Sequence, residues 1–99
     1  MAEDAAAIAD GGRSDPRGNG KEQWKPVRAD RILHDGDQVT LGGVTMVARL
    51  TAGHTKGCTT WTTIVEEGGR KYSVVFVCSL GLGPGVPLIG NTDYSKVER

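Results

Sequence analysis

The chain has 99 residues, with 12 basic and 12 acidic side chains that cancel to no formal net charge. That length allows one domain with a small core. The charge balance gives no pull toward nucleic acid or an anionic membrane surface, and no stretch reads as a membrane span or a signal peptide. Two cysteines, Cys58 and Cys78, are too few for a disulfide scaffold or a structural zinc finger. Glycine is abundant at 15 residues, so many turns are expected.

In chain order, "MAEDAAAIADGG" predicts a short helix over 1–12. Alanines favour helix, Glu3 and Asp4 suit its first turn, and Gly11-Gly12 can close it with a left-handed cap. "RSDPRGNGKEQWKP", residues 13–26, is polar and rich in Gly and Pro and reads as a surface loop. Strands and hairpins are expected over 31–77. "RIL" is a short strand halted by the turn signal "HDGD". "QVTL" and "VTMVARL" flank Gly42-Gly43, and "CTTWTTIVEE" and "RKYSVVFV" flank Gly68-Gly69, the composition of two tight hairpins.

The second hairpin has a predictable register. A two-residue turn at Gly68-Gly69 pairs Glu67 with Arg70, Ile64 with Ser73 and Trp61 with Phe76. One face then carries Trp61, Thr63, Val65, Tyr72, Val74 and Phe76. The other carries Thr60, Thr62, Ile64, Val75 and Val77. Apolar groups on both faces call for a cover on both, as in a layered α/β protein. One helix in 99 residues cannot supply two covers, so the chain reads as part of something larger. A glycine-rich loop over 78–91 and the start of a helix over 92–99 complete the chain.

Histidine occurs twice. His34 sits in "LHDGD" beside Asp35 and Asp37, where turn chemistry is the ordinary reading and a local metal site the alternative. His54 sits in "LTAGHTKGCTTW" at the end of an apolar strand, with Gly53 and Gly57 expected to let the backbone bend sharply around the ring. A single imidazole is not a zinc site, because zinc takes three or four ligands.

The run "DRILHDGDQVTLGGVTMVARLTAGHTKGCTTWT" resembles the metallo-β-lactamases, specifically the third, dizinc subclass of class B. "YSVVFVCSLGLGPGVPLIGNTDY" resembles the matching later segment of that group, and "AAAIADGGRSD" resembles the helix and loop that follow its main metal motif. The resemblance covers nearly the whole chain. It implies an α/β (α+β) fold that is part of a four-layer αββα sandwich. By the same resemblance His54 matches the third histidine of a tri-histidine zinc site. Ser79 matches a serine that helps receive the antibiotic's carboxylate. No catalytic group beyond the metal ligand is expected in this chain.

The implied activity is opening of the β-lactam ring by zinc-bound hydroxide, with no covalent enzyme intermediate. The chain departs from the pattern in several places. It has no His-x-His-x-Asp-His and no later histidine, so it is expected to be an internal segment, inactive alone and unable to hold the parent's two zinc ions tightly. Gly81 and Gly83 stand where members carry serine or asparagine, and Cys78 stands where glycine is expected. Cys58 and Cys78 are expected as buried free thiols, with a cross-strand disulfide as the alternative. Thr55 and Thr59 are expected to brace the loop, and Lys56 to be solvated. The parent is expected to be periplasmic or secreted and to take a small-molecule β-lactam, without nucleic-acid or membrane partners. Self-association through the uncovered faces is expected of the chain itself. Two alternatives stand beside this reading: another hydrolase of the same superfamily, or a small non-catalytic β-rich interaction module.

Overall fold

A computed structural model describes residues 1–81, 87, 89, 90 and 92. Apart from residue 92, the helix expected over 92–99 lies outside the described residues, as does half of the glycine-rich loop over 78–91. Among the described residues there is one helix, α1 (Ala2–Asp10), and one sheet of four strands: β1 (Gln38–Leu41), β2 (Val44–Leu50), β3 (Thr59–Glu67) and β4 (Arg70–Phe76). One helix beside an antiparallel sheet makes this an α/β (α+β) segment, the fold class expected from the sequence.

Helix α1 stops where the glycines say it should. Gly11 takes a left-handed conformation at φ 77°, and Gly12 N donates to Ala7 O at 2.7 Å. The Asp10 carboxylate then accepts from the amides of Gly12 and Ser14, each at 3.0 Å. No residue of the helix is buried. It is tied instead by main-chain bonds to the segment that returns past it. Gln23 N and Trp24 N donate to Gly11 O, and Val27 N donates to Ile8 O. The Trp24 ring lies so close over Gly12 that a β-carbon there would meet it at 2.7 Å.

The strands form a simple antiparallel meander in the order β1-β2-β3-β4. Its two hairpins turn on Gly42-Gly43 (φ 57° and 80°) and Gly68-Gly69 (φ 58° and 75°). Two consecutive positive φ values define the turn whose twist matches that of paired strands, and only glycine adopts them freely. The β3–β4 register is as the sequence predicts: Glu67 faces Arg70, Ile64 faces Ser73 and Trp61 faces Phe76. β2 extends the two faces, with Ala48 opposite Trp61 and Val47 opposite Thr62.

One expected strand is absent. Residues 31–33 form no ladder. Leu33 O accepts from Ala2 N at 2.9 Å, so its carbonyl serves the start of α1 rather than a neighbouring strand. Three residues before a turn are too few to compete with that partner. The turn itself forms as expected, with Gly36 at φ 90° and Asp37 N bonded to His34 O at 3.1 Å.

The core is small. The only buried apolar side chains among the described residues are Ala48 and Cys58, joined by the polar Thr60. Ile64, Val75, Val77 and Phe76 are each more than half exposed. Both faces of the β3–β4 hairpin are thus apolar and open.

The cysteines correct the expectation of free thiols. Cys58 and Cys78 are joined in a disulfide with their α-carbons 5.8 Å apart. Cys58 is buried but Cys78 is exposed. Both flank the paired stretch where β3 begins and β4 ends, and Cys78 N donates to Thr60 Oγ1 at 3.3 Å. The hairpin register brings the two backbones within bridging distance, which spacing along the chain conceals.

Candidate functional site

The loop that carries His54 leaves β2 and returns as β3. Its mouth is closed by Thr51 N donating to Cys58 O at 2.9 Å and by a 2.8 Å bond between the Thr51 and Thr60 hydroxyls. Inside, Gly53 N donates to Thr55 O at 3.1 Å and Cys58 N to Thr55 O at 3.4 Å. Thr59 Oγ1 donates to Gly57 O at 2.8 Å. Thr59 therefore braces the loop as expected, and so does Thr55, whose hydroxyl donates to the Asp4 carboxylate.

The two loop glycines serve differently from the reading in the sequence. Neither Gly53 nor Gly57 adopts a positive φ. Gly57 is needed for space. A β-carbon on it would lie 2.8 Å from both the backbone nitrogen and the Cγ of Asp4. The bare backbone lets Gly57 N reach Asp4 Oδ1 at 2.7 Å.

Asp4 thus accepts with both oxygens, one from Thr55 and one from Gly57. The Arg17 guanidinium donates to the carbonyl of His54 itself. Arg17 is held by Asp15 through a fork, Nε to Oδ1 at 3.1 Å and Nη2 to Oδ2 at 2.8 Å. The hydrogen bond from Arg17 outweighs partial burial and holds the Asp15 carboxyl below its ordinary value, with a further lowering from the charge of Lys56. Lys56 is half-buried rather than fully solvated. It lines a cavity of about 240 Å³ together with Glu3, Asp4 and Asp15, between α1 and the loop after it.

The sequence gives no sign of Asp4 or Arg17 as partners of this loop. An acidic residue in a first helical turn already has a local explanation, and an arginine in a polar stretch needs none. Their targets lie 53 and 37 residues away in sequence.

His54 is exposed. Ser79 is half-buried, and its Oγ accepts from Gly81 N at 3.0 Å. The disulfide links the two segments, since Cys58 ends the His54 loop and Cys78 precedes Ser79. His34 is engaged in its own turn. Its amide donates to Asp37 Oδ2 at 2.9 Å, and Asp35 Oδ1 accepts from Leu50 N at 2.9 Å. One oxygen of each carboxylate in that turn thus accepts a backbone amide, the turn chemistry that is the ordinary reading of this stretch. No group of three or more histidine, cysteine, aspartate or glutamate side chains that could hold a metal exists among the described residues. The residues present do not by themselves fit a zinc ion, and His54 would need ligands from outside this set.

The chain matches no protein-family model. It does match solved structures. The native FEZ-1 metallo-β-lactamase from Legionella gormanii superposes with a TM-score of 0.83 at 40% identity, over 97% of this chain and 37% of that one. BJP-1, a subclass B3 metallo-β-lactamase of Bradyrhizobium japonicum, gives a TM-score of 0.77 at 31% identity, over 98% of this chain and 36% of that one. LRA-12, a class B3 di-zinc metallo-β-lactamase from an Alaskan soil metagenome, gives 0.70 at 35% identity, over 77% and 29%. The chain spans 37%, 36% and 29% of the length of these three enzymes.

Proposed function

Because the chain belongs to the metallo-β-lactamases and matches their class B3 members, we propose that it is the central portion of a zinc-dependent hydrolase acting on β-lactam antibiotics. In this reading His54 is one ligand of the zinc site and Ser79 is a contact for the substrate's carboxylate. The remaining ligands come from sequence other than these 99 residues, so the isolated chain is inactive toward β-lactams.

The observation that carries the reading is the superposition on an enzyme of this kind over nearly the entire chain, at 40% identity. The local structure supports it. His54 is exposed on a loop whose backbone is held by Arg17 at its own carbonyl and by Asp4 at the Gly57 amide, and a fixed backbone suits a ligand position. The Cys58–Cys78 disulfide supports an exported parent, periplasmic or secreted, because such bonds persist in oxidising compartments.

The test is a chimera. The 99 residues replace the corresponding segment of the Legionella gormanii enzyme, and hydrolysis of a penicillin, a cephalosporin and a carbapenem is followed by absorbance. The chimera should bind zinc and open the lactam ring, and His54→Ala should lower its zinc content and abolish hydrolysis. A chimera that folds and binds zinc, yet cleaves other esters or thioesters and no lactam, would sink the lactamase reading in favour of another hydrolase of the superfamily.

A further inference from the structure

We propose that Asp4, assisted by Arg17, is a positioning residue for the His54 loop, reaching it from α1. The proposal rests on the reading of His54 as a functional imidazole. Three side-chain bonds converge on four consecutive residues. Arg17 donates to His54 O, Thr55 Oγ1 donates to Asp4, and Gly57 N donates to Asp4 Oδ1 at 2.7 Å. One more long-range bond joins them, from the Met1 amino group at the start of α1 to Gly57 O at 3.3 Å. The bonds from Thr51, Gly53, Cys58 and Thr59 are local and close the loop's ends. They do not fix its middle against the rest of the molecule.

The geometry calls for a short side chain with two polar atoms. A short carboxylate presents two acceptors about a single plane, and here one takes a backbone amide and the other a hydroxyl. The space is cut to it, for Gly57 leaves no room for a side chain between the loop and Asp4. Arg17 is itself held by Asp15, so its reach to the His54 carbonyl comes from an anchored group. Asp4 does not touch substrate in this account. It acts by fixing the backbone from which the imidazole projects.

The experiment uses the 99-residue chain, with proton exchange at backbone amides and the ring signals of its two histidines read by NMR. His34→Gln assigns the pair. In Asp4→Ala, the Gly57 amide should exchange about tenfold faster or more, and the His54 ring signal should move. The His34 ring signal and the protected amides of Thr62 and Val74 should stay as they are. Asp4→Asn should resemble the parent chain, because its carbonyl still accepts from Gly57 N and the Thr55 hydroxyl can turn to accept from the amide. Arg17→Ala, at an exposed side chain, should move the His54 ring signal while sparing the sheet, and it serves if Asp4→Ala does not fold.

Unchanged Gly57 exchange and His54 signals in both alanine variants would overturn the proposal. So would loss of sheet protection in step with Gly57, which would make Asp4 a support of the fold at large. An Asp4→Asn chain as loose as Asp4→Ala would overturn the hydrogen-bond account. None of these readouts involves zinc or a lactam. A failed chimera would remove the ligand reading and leave the exchange result standing.

Discussion

Removing the disulfide should cost this chain a large part of its stability. Cys58 and Cys78 are 20 residues apart, and closing a loop of that size in the unfolded chain is worth about 3 kcal/mol by chain entropy. That is weighed against a core whose buried apolar members are Ala48 and Cys58 alone among the described residues. The double variant Cys58→Ala/Cys78→Ala keeps a small apolar group at both places and so isolates the crosslink. Urea unfolding can be followed by fluorescence of Trp61 in β3 and Trp24 beside Gly12. With a slope of about 1 kcal/mol per molar urea for so small a protein, the midpoint should fall by about 3 M. Wild-type chain treated with a reductant should behave like the variant. If oxidised, reduced and cysteine-free chains unfold at the same midpoint, the loop-closure argument is wrong. A fall of only about 1 M would locate the discrepancy in the unfolded state, with the β3–β4 hairpin persisting there without its crosslink.

Two glycine substitutions should separate crowding from backbone strain. Gly57→Ala forces a β-carbon to within 2.8 Å of the Asp4 backbone and should cost about 1–3 kcal/mol in thermal or urea unfolding. Gly69→Ala meets nothing within 4 Å but must hold φ 75°, so its cost should be the left-handed penalty of about 1–2 kcal/mol. Acid should release Arg17 late. The folded pKa of Asp15 is lowered, so its contribution is complete above the unfolded value near 3.8 and fades only as pH falls through the lower folded value. The Asp15 carboxyl carbon signal should therefore be flat from neutrality to about pH 5 and titrate below the ordinary range, and a midpoint above that range would refute the assignment. Sedimentation should show concentration-dependent association of the chain, weakened by Val75→Lys on the open face. A monodisperse wild-type monomer at high concentration would count against that expectation.

Much of the fold was legible because its signals are local. The two Gly-Gly pairs state where the sheet turns, and alternation then fixes the register that pairs Trp61 with Phe76. The cap at Gly11 is equally local. What could not be read depends on distant partners. Residues 31–33 have strand composition, yet the first residue of α1 takes the Leu33 carbonyl. The disulfide follows from the register, and the expectation of buried free thiols fails because the two cysteines are bonded and Cys78 is exposed. At the site, His54 and Ser79 were singled out only by resemblance to a family, since a lone imidazole and a lone serine carry little signal. Asp4 and Arg17 had no signal, for nothing in a sequence marks a bond made 53 residues later.

The meander also sets an order in time. Every strand pairs with its neighbour in sequence, and hairpins of this kind close in about 1–10 μs. The bond from Gly57 to Asp4 must instead gather some fifty residues of intervening chain, and its closure entropy is recovered only when the loop and α1 already have their shapes. The sheet can therefore assemble first, and the stretch around His54 acquires its final form afterwards. On unfolding the order reverses. The imidazole would lose its setting while the ladder beneath it is still intact, so the capacity to act and the capacity to stay folded need not fail together.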